Sequence, residues 1–194
     1  MRNLFIISAA AAAIAVPSAV QAQALPAAVI AVVDLEKVTT DCNACKAARA
    51  TLQGQITALQ NREKALSAPL EAEQKAIQAA IDALAGKQPD AALQARAKAW
   101  ETKRQQGAQE ITAQQQQIQR NSAYVSQQIA TKLGPIYQQV MQRRGASVMV
   151  EMGATLATAS QLDVTNDVLA ALNTALPSVS TTAPAQQQQQ PQGR

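Results

Sequence analysis

The stretch "LQGQITALQNREKALSAPLEAEQKAIQAAIDAL", Leu52 to Leu84, decides the fold. Leu52, Ile56, Leu59, Leu66, Leu70, Ile77, Ala80 and Leu84 follow one another in steps of three and four, and Glu63 and Glu73 fill the two places left open in that register. An apolar row with this spacing is a coiled-coil seam, here with two polar interruptions, running through residues 46–85. The residues between the seam positions are chiefly alanine and glutamine, which favour helix. Alanine buries little area, so the seam is thin and weakly held. Pro69 lies inside it and is expected to kink the helix.

Downstream, "AGKQPDA", Ala85 to Ala91, interrupts the pattern. Gly86 suits a helix end, Pro89 cannot continue one and Asp90 can open the next. A second helix is expected from Ala91 to about Arg144. Leu93, Ala97, Trp100, Ile111, Ile118 and Val125 keep heptad steps, Arg104, Gly107, Gln114 and Asn121 fill the gaps, and Ile129, Leu133, Ile136 and Val140 continue one residue out of register. Gly134-Pro135 marks an expected bend. Two helical stretches of nearly equal length, each roughly 75–80 Å at about 1.5 Å per residue, should lie antiparallel as one long arm.

Both ends of that arm lead into β-forming sequence. Before it, "AAVIAVVDLEKV" reads as one strand, apolar on both faces around Val29, Ile30, Val32 and Val33, hence central or at an interface. After it, "ASVMVEMGATLATAS" reads as a hairpin, with Val148, Val150 and Met152 in its first strand, a turn at Gly153, and Leu156 in its second. "LDVTNDVLAALNTAL" is a short closing helix, capped by Asp163 or Thr165, with Val168, Leu169, Leu172 and Leu176 on its apolar face. The fold class is therefore α+β and mostly α: a small β body (25–40 and 145–176) carrying a helical arm (41–144). One strand plus one hairpin is too little sheet to stand alone, so the body is expected to oligomerise through Val29, Ile30, Val32, Val33, Val148 and Val150.

The ends of the chain carry other signals. Arg2, the apolar run "LFIISAAAAAIAV" and the small-residue stretch "PSAVQAQA" read as a cleaved secretory signal over 1–24, because the run is too short to span a bilayer. Residues 25–176 then form one domain, and "PSVSTTAPAQQQQQPQGR" (177–194) is low-complexity and expected to be disordered.

This order of elements resembles the Skp/OmpH family of periplasmic chaperones. The strings that carry the likeness are "IAVVDLEKV" (Ile30 to Val38) and "LDVTNDVLAALN" (Leu162 to Asn173), with a charged, Ala/Gln-rich hairpin of family-like length between them. The resemblance implies a periplasmic trimer whose β body joins three chains and whose arms enclose unfolded outer-membrane proteins without ATP. The residues alone imply only an oligomer. A structural coiled-coil spacer or adaptor of the cell envelope is the alternative, although the β segments are too short for the domains that export adaptors carry beside their hairpins.

Composition argues against catalysis. With no histidine among its 194 residues, the chain lacks the usual general base and the common Ser/His and Cys/His nucleophile systems. No glycine-rich phosphate loop is present, and no cofactor or metal is implied. Cys42 and Cys45 are the only cysteines, in a C-x-x-C spacing. A zinc site needs two further ligands, which only another subunit could give, and haem attachment needs a histidine where Lys46 stands. A thiol–disulfide enzyme would carry the pair in a βαβ context, which is missing here. In an oxidising compartment a local disulfide at the head of the long helix is the expected state, with a bond to a partner chain as the alternative.

Seventeen basic residues against thirteen acidic ones give a net charge of +4. The excess sits on the returning helix, where Arg96, Lys98, Lys103 and Arg104 are candidate client-binding residues. A positive arm attracts acidic clients, and an anionic lipid surface is a further candidate partner. Nucleic acid is a poor match, because Trp100, Tyr124 and Tyr137 are the only aromatics after the signal.

Overall fold

The computed structural model describes residues 27–184, and the expected signal at 1–24 lies outside them. Strand β1 (Ile30–Val33) is followed by helix α1 (Leu35–Asp41), the long helices α2 (Asn43–Asp82) and α3 (Ala91–Arg144), strand β2 (Val148–Glu151), and helix α4 (Thr165–Ala175). Single 3-10 turns at Met152–Ala154 and Ser160–Leu162 lie between β2 and α4.

Side-chain caps set most helix starts. The Asp34 carboxylate accepts the Lys37 N–H at 2.7 Å and opens α1, and Asp90 accepts the Leu93 N–H at 2.8 Å and opens α3, as its place after Pro89 suggests. Alpha3 ends at Gly145, whose φ of 65° is a left-handed conformation that glycine adopts without a Cβ penalty. The turn between the long helices needs the same region twice, at Ala85 and Gly86.

Helices α2 and α3 meet with their partners in reversed order. Gln55 bonds Asn121, Arg62 bonds Glu110, the Leu70 carbonyl accepts the Trp100 indole N–H, and Glu73 bonds Arg96. Numbers rise on one helix as they fall on the other. The heptad row read from the sequence is the contact row: Gly107, Asn121, Val125 and Ile77 are buried in it, and Leu52, Leu59, Leu66, Leu70 and Trp100 are half-buried. Ile56 is an exception at 37% exposure, and Arg104 and Glu63 lie outside the row. Both helices are continuous through their prolines, Pro69 and Pro135.

The two rods are not equal. Alpha2 has 40 residues and α3 has 54, or about 60 Å against about 80 Å. Half of the difference is made up by the seven residues of α1, which the break at Cys42 separates from α2. The extra turns of α3 enter the body, where Leu133, Ile136 and Val140 join Val38, Cys42, Val168 and Leu172 in one core.

The sheet corrects one expectation. Beta2 pairs with β1 in parallel, Ile30 opposite Val148 and Val33 opposite Glu151, and no hairpin follows it. The whole arm is the crossover that a parallel pair requires. After Glu151 the chain turns away, and Leu156 is fully exposed rather than in a second strand. Residues 155–161 offer one large apolar side chain, too few to hold a strand against the core. The chain instead reaches the other edge of β1, where Asp163 bridges Val32 and the Val164 N–H donates to the Val32 carbonyl at 2.8 Å. That places β1 in the centre and buries Ala31, Val32 and Val33, as a doubly apolar strand demands. Alpha4 closes the body with Val168 and Leu172 fully buried. Its first residue is held by the Asp163 carboxylate, which accepts the Thr165 N–H at 2.8 Å, while the Thr165 hydroxyl accepts the Asp34 N–H at 2.9 Å.

The tail also departs from its reading. Residues 177–184 lie against the arm: Gln128 accepts the Ser180 N–H, and Asn121 accepts the Ala183 N–H. The glutamine run beyond, expected to be disordered, lies outside the described residues.

Candidate functional site

The seam of α2 and α3 carries open grooves, two of about 480 Å³ and a smaller one of about 400 Å³ near the turn, lined by Ala80, Leu84 and Leu93. The one nearer the body encloses about 480 Å³ between Leu52, Ile56, Val125, Ile129 and Leu133, with Cys45 at its edge. Its walls are mainly apolar, with Thr39, Arg49, Gln53, Ser122 and Ser126 among the lining residues. The second, also about 480 Å³, lies at mid-arm. Leu66, Pro69, Leu70 and Gly107 form its floor, and Arg62, Glu73, Lys103 and Glu110 its rim. Gly107 contributes no side chain, which leaves the floor open.

Ion pairs brace the mid-arm groove on both sides. Arg62 grips Glu110 with two hydrogen bonds of 2.7 and 3.0 Å, and Arg96 grips Glu73 with two of 2.5 and 2.9 Å. These hydrogen bonds hold the Glu110 and Glu73 carboxyls below the usual carboxylate range. On α3 itself, Arg104 bonds Glu101 and lies over the Trp100 ring at 5.8 Å. Hydrogen bonds from Arg104, and then from Gln105, push the Glu101 carboxyl down to about 2. All these groups are exposed, so each pair contributes at most modestly to stability.

The four candidate client-binding cations are therefore not one cluster. Arg96 and Arg104 are committed to carboxylates, whereas Lys98 and Lys103 form no ion pair among the described residues. At roughly 100° per residue, Lys103 falls on the same side of α3 as Arg96, and Lys98 on nearly the opposite side.

The oligomer candidates divide by burial. Val32 and Val33 are inside the body, while Val29, Ile30 and Val148 are 48%, 45% and 44% exposed. These three lie together at one end of the sheet, since Ile30 is opposite Val148 and the Val148 N–H donates to the Val29 carbonyl. Val150 is half-buried. Among the described residues β2 is paired along one side only, so its outer backbone groups are open to another chain.

Cys42 and Cys45 are joined in a disulfide with Cα atoms 5.1 Å apart. Cys42 is not inside a helix. It ends α1 and caps α2, its sulfur accepting the Cys45 N–H at 3.0 Å. The pair is buried, at 0% and 4% exposure, against the core shared by α1, α3 and α4. A disulfide enzyme needs an accessible sulfur for the attacking thiolate to reach, and this one is shielded. Among the described residues no three His, Cys, Asp or Glu side chains are grouped to hold a metal.

Sequence reasoning missed Gln55 and Gln128, which reach across to residues 180–181. Glutamine is so abundant here that no spacing singles these two out. Asn121 carried a signal, as a polar residue on the apolar row.

A two-stranded parallel sheet whose crossover is a long helical pair defines a body-and-arm protein. The family model of the outer membrane protein (OmpH-like) family matches residues 29–172, and the chain belongs to that family. The fold is similar to the crystal structure of a candidate outer membrane chaperone (OmpH-like) from Caulobacter crescentus CB15. The TM-score is 0.68 at 20% identity, covering 86% of this chain and 98% of that one. No curated protein matches the sequence.

Proposed function

We propose that this protein is a chaperone of the cell envelope. It is an ATP-independent periplasmic holdase that keeps unfolded outer-membrane proteins from aggregating. Membership of the OmpH-like family supports the general role. The observation that carries the holding mechanism is the open, apolar seam of the arm, with its two grooves of about 480 Å³ each.

An unfolded barrel protein in water exposes alternating apolar side chains. The Leu, Ile and Val side chains of the groove nearer the body, and the two leucines of the mid-arm groove, offer that surface partial burial at about 25 cal/mol per Å², with no shape demand on the client. Each contact is weak, and several arms around one client add through effective concentration. Release needs no nucleotide, because folding into the membrane removes the surface being held. Lys98 and Lys103, the two candidate cations that form no ion pair among the described residues, supply positive charge for acidic segments.

The exposed patch of Val29, Ile30 and Val148, beside the open edge of β2, supports assembly of several chains through the body. Three is the number the family likeness suggests. The secretory signal expected at 1–24 fits a periplasmic location.

The test is direct. A urea-unfolded outer-membrane protein is diluted into buffer with and without this protein, and light scattering is followed. Suppression near stoichiometric ratios is expected; unchanged aggregation at excess would refute the reading. Stable co-purification with one envelope complex, and with no unfolded clients, would favour a spacer instead.

A further inference from the structure

The seat of residues 177–184 on the arm is built from three side-chain amides. Gln128 takes both polar groups of one peptide residue: its Oε1 accepts the Ser180 N–H at 3.0 Å and its Nε2 donates to the Ser180 carbonyl at 2.9 Å. Gln55 Nε2 donates to the Thr181 carbonyl at 3.3 Å. Asn121 Oδ1 accepts the Ala183 N–H at 2.9 Å. One amide comes from α2 and two from α3, so the strap crosses both helices.

Contacts within the arm orient two of these amides, Asn121 and Gln55, independently of the strap. Asn121 is 4% exposed. Its Nδ2 donates to Gln55 Oε1 at 2.9 Å, and its Oδ1 also accepts from Gln117 Nε2 at 2.8 Å. Occupying Gln55 Oε1 leaves Gln55 Nε2 as the end that faces outward, a donor aimed at a carbonyl. Each of these arm-to-strap hydrogen bonds goes to main chain. The Ser180 hydroxyl turns instead to its own strap, pairing with the Thr182 N–H and carbonyl. Burial alternates along the strap: Val179, Thr181 and Ala183 are half-buried, while Ser180, Thr182 and Pro184 are exposed. Only Val179 packs on the core.

From this geometry we infer that Gln55, Asn121 and Gln128 form a receptor for non-helical polypeptide backbone, and that the chain's own C-terminal segment is its resident occupant. Every peptide bond except one to proline carries the same donor and acceptor, so the amides hold a strap of any sequence that can place N–H groups at positions 180 and 183 and small side chains at the half-buried positions. An unfolded polypeptide offers such segments throughout. It enters when the strap leaves, and its apparent affinity is reduced by the fraction of receptors the strap already fills. The inference rests on the holdase reading only for what the external polypeptide is.

The test uses the full chain with Ser180→Pro and Ala183→Pro, which together remove the two strap N–H donors. The probe is a fluorescent peptide with the sequence of residues 177–184, and a second peptide keeps the valine of position 179 but carries alanine at positions 180–182. Fluorescence anisotropy should show the double variant binding the first peptide about tenfold more tightly than the unaltered chain does. The second peptide should bind within about threefold of the first, as main-chain recognition requires. Adding Gln128→Leu, or separately Gln55→Met, should erase the gain while circular dichroism stays unchanged. Equal binding by variant and unaltered chain, or a gain that survives both amide substitutions, would overturn the receptor. The readout is a peptide rather than an aggregating client, so its failure is distinct from a failure of the light-scattering test.

Discussion

Replacing Gly107 with alanine should stiffen the middle of the arm. Gly107 is buried in α3 with ordinary negative φ, so alanine meets no backbone strain there. A Cβ built on it would stand 3.7 Å from one Leu66 methyl and 4.0 Å from the other, ordinary contact distances. Two gains follow. Alanine is better than glycine inside a helix by about 1 kcal/mol. Filling part of the open floor with a methyl group in contact with Leu66 adds up to about 0.8 kcal/mol. Gly54 in α2 supplies the control, because a Cβ there meets nothing within 4 Å and only the first gain applies. Native-state hydrogen exchange reads both. Amides just after residue 107 should exchange about ten- to thirtyfold more slowly in the Gly107→Ala protein, and amides near residue 54 about fivefold more slowly in Gly54→Ala. Equal protection in the two variants would refute the packing of Gly107 on Leu66. Faster exchange in Gly107→Ala would mean that α2 and α3 approach more closely there than the contacts allow.

Three further outcomes are expected. Glu101, Glu73 and Glu110 have lowered carboxyl pKa values, so their pairs stabilise the arm above the ordinary value of 4.5 and lose that contribution as pH falls through the folded value, about 2 for Glu101; carboxylate NMR titration should place the loss in that acid window and leave the arm unchanged from neutral pH to about 5. The Cys42–Cys45 bond closes so short a loop that its reduction should lower stability by about 2 kcal/mol or less in urea unfolding, and non-reducing electrophoresis should show no linked dimer. The double substitution Ile30→Asp with Val148→Asp puts charge on the exposed sheet end, and sedimentation should then report single chains where the unaltered protein assembles.

The amino-acid sequence by itself determined the arm. A heptad row is a local, repeating signal, and it named Gly107, Asn121 and Val125 as seam positions before any contact was known. It also set the turn, through Pro89 and Asp90, and the closing helix, through Val168 and Leu172. Each of these depends on side chains within a few turns of one another. The tertiary structure decided what depends on distant partners. "VMVE" at 148–151 suits a hairpin as well as a parallel strand, and the choice was made by β1, more than a hundred residues earlier, whose open edge the crossover delivers to it. The charge of Arg96 looked free for a client in the linear chain, yet the Glu73 carboxylate neutralises it once the two helices pair. The strap is the extreme case. Nothing in "PSVSTTAP" encodes order, because its main-chain groups are satisfied by amides on two helices that only folding brings side by side.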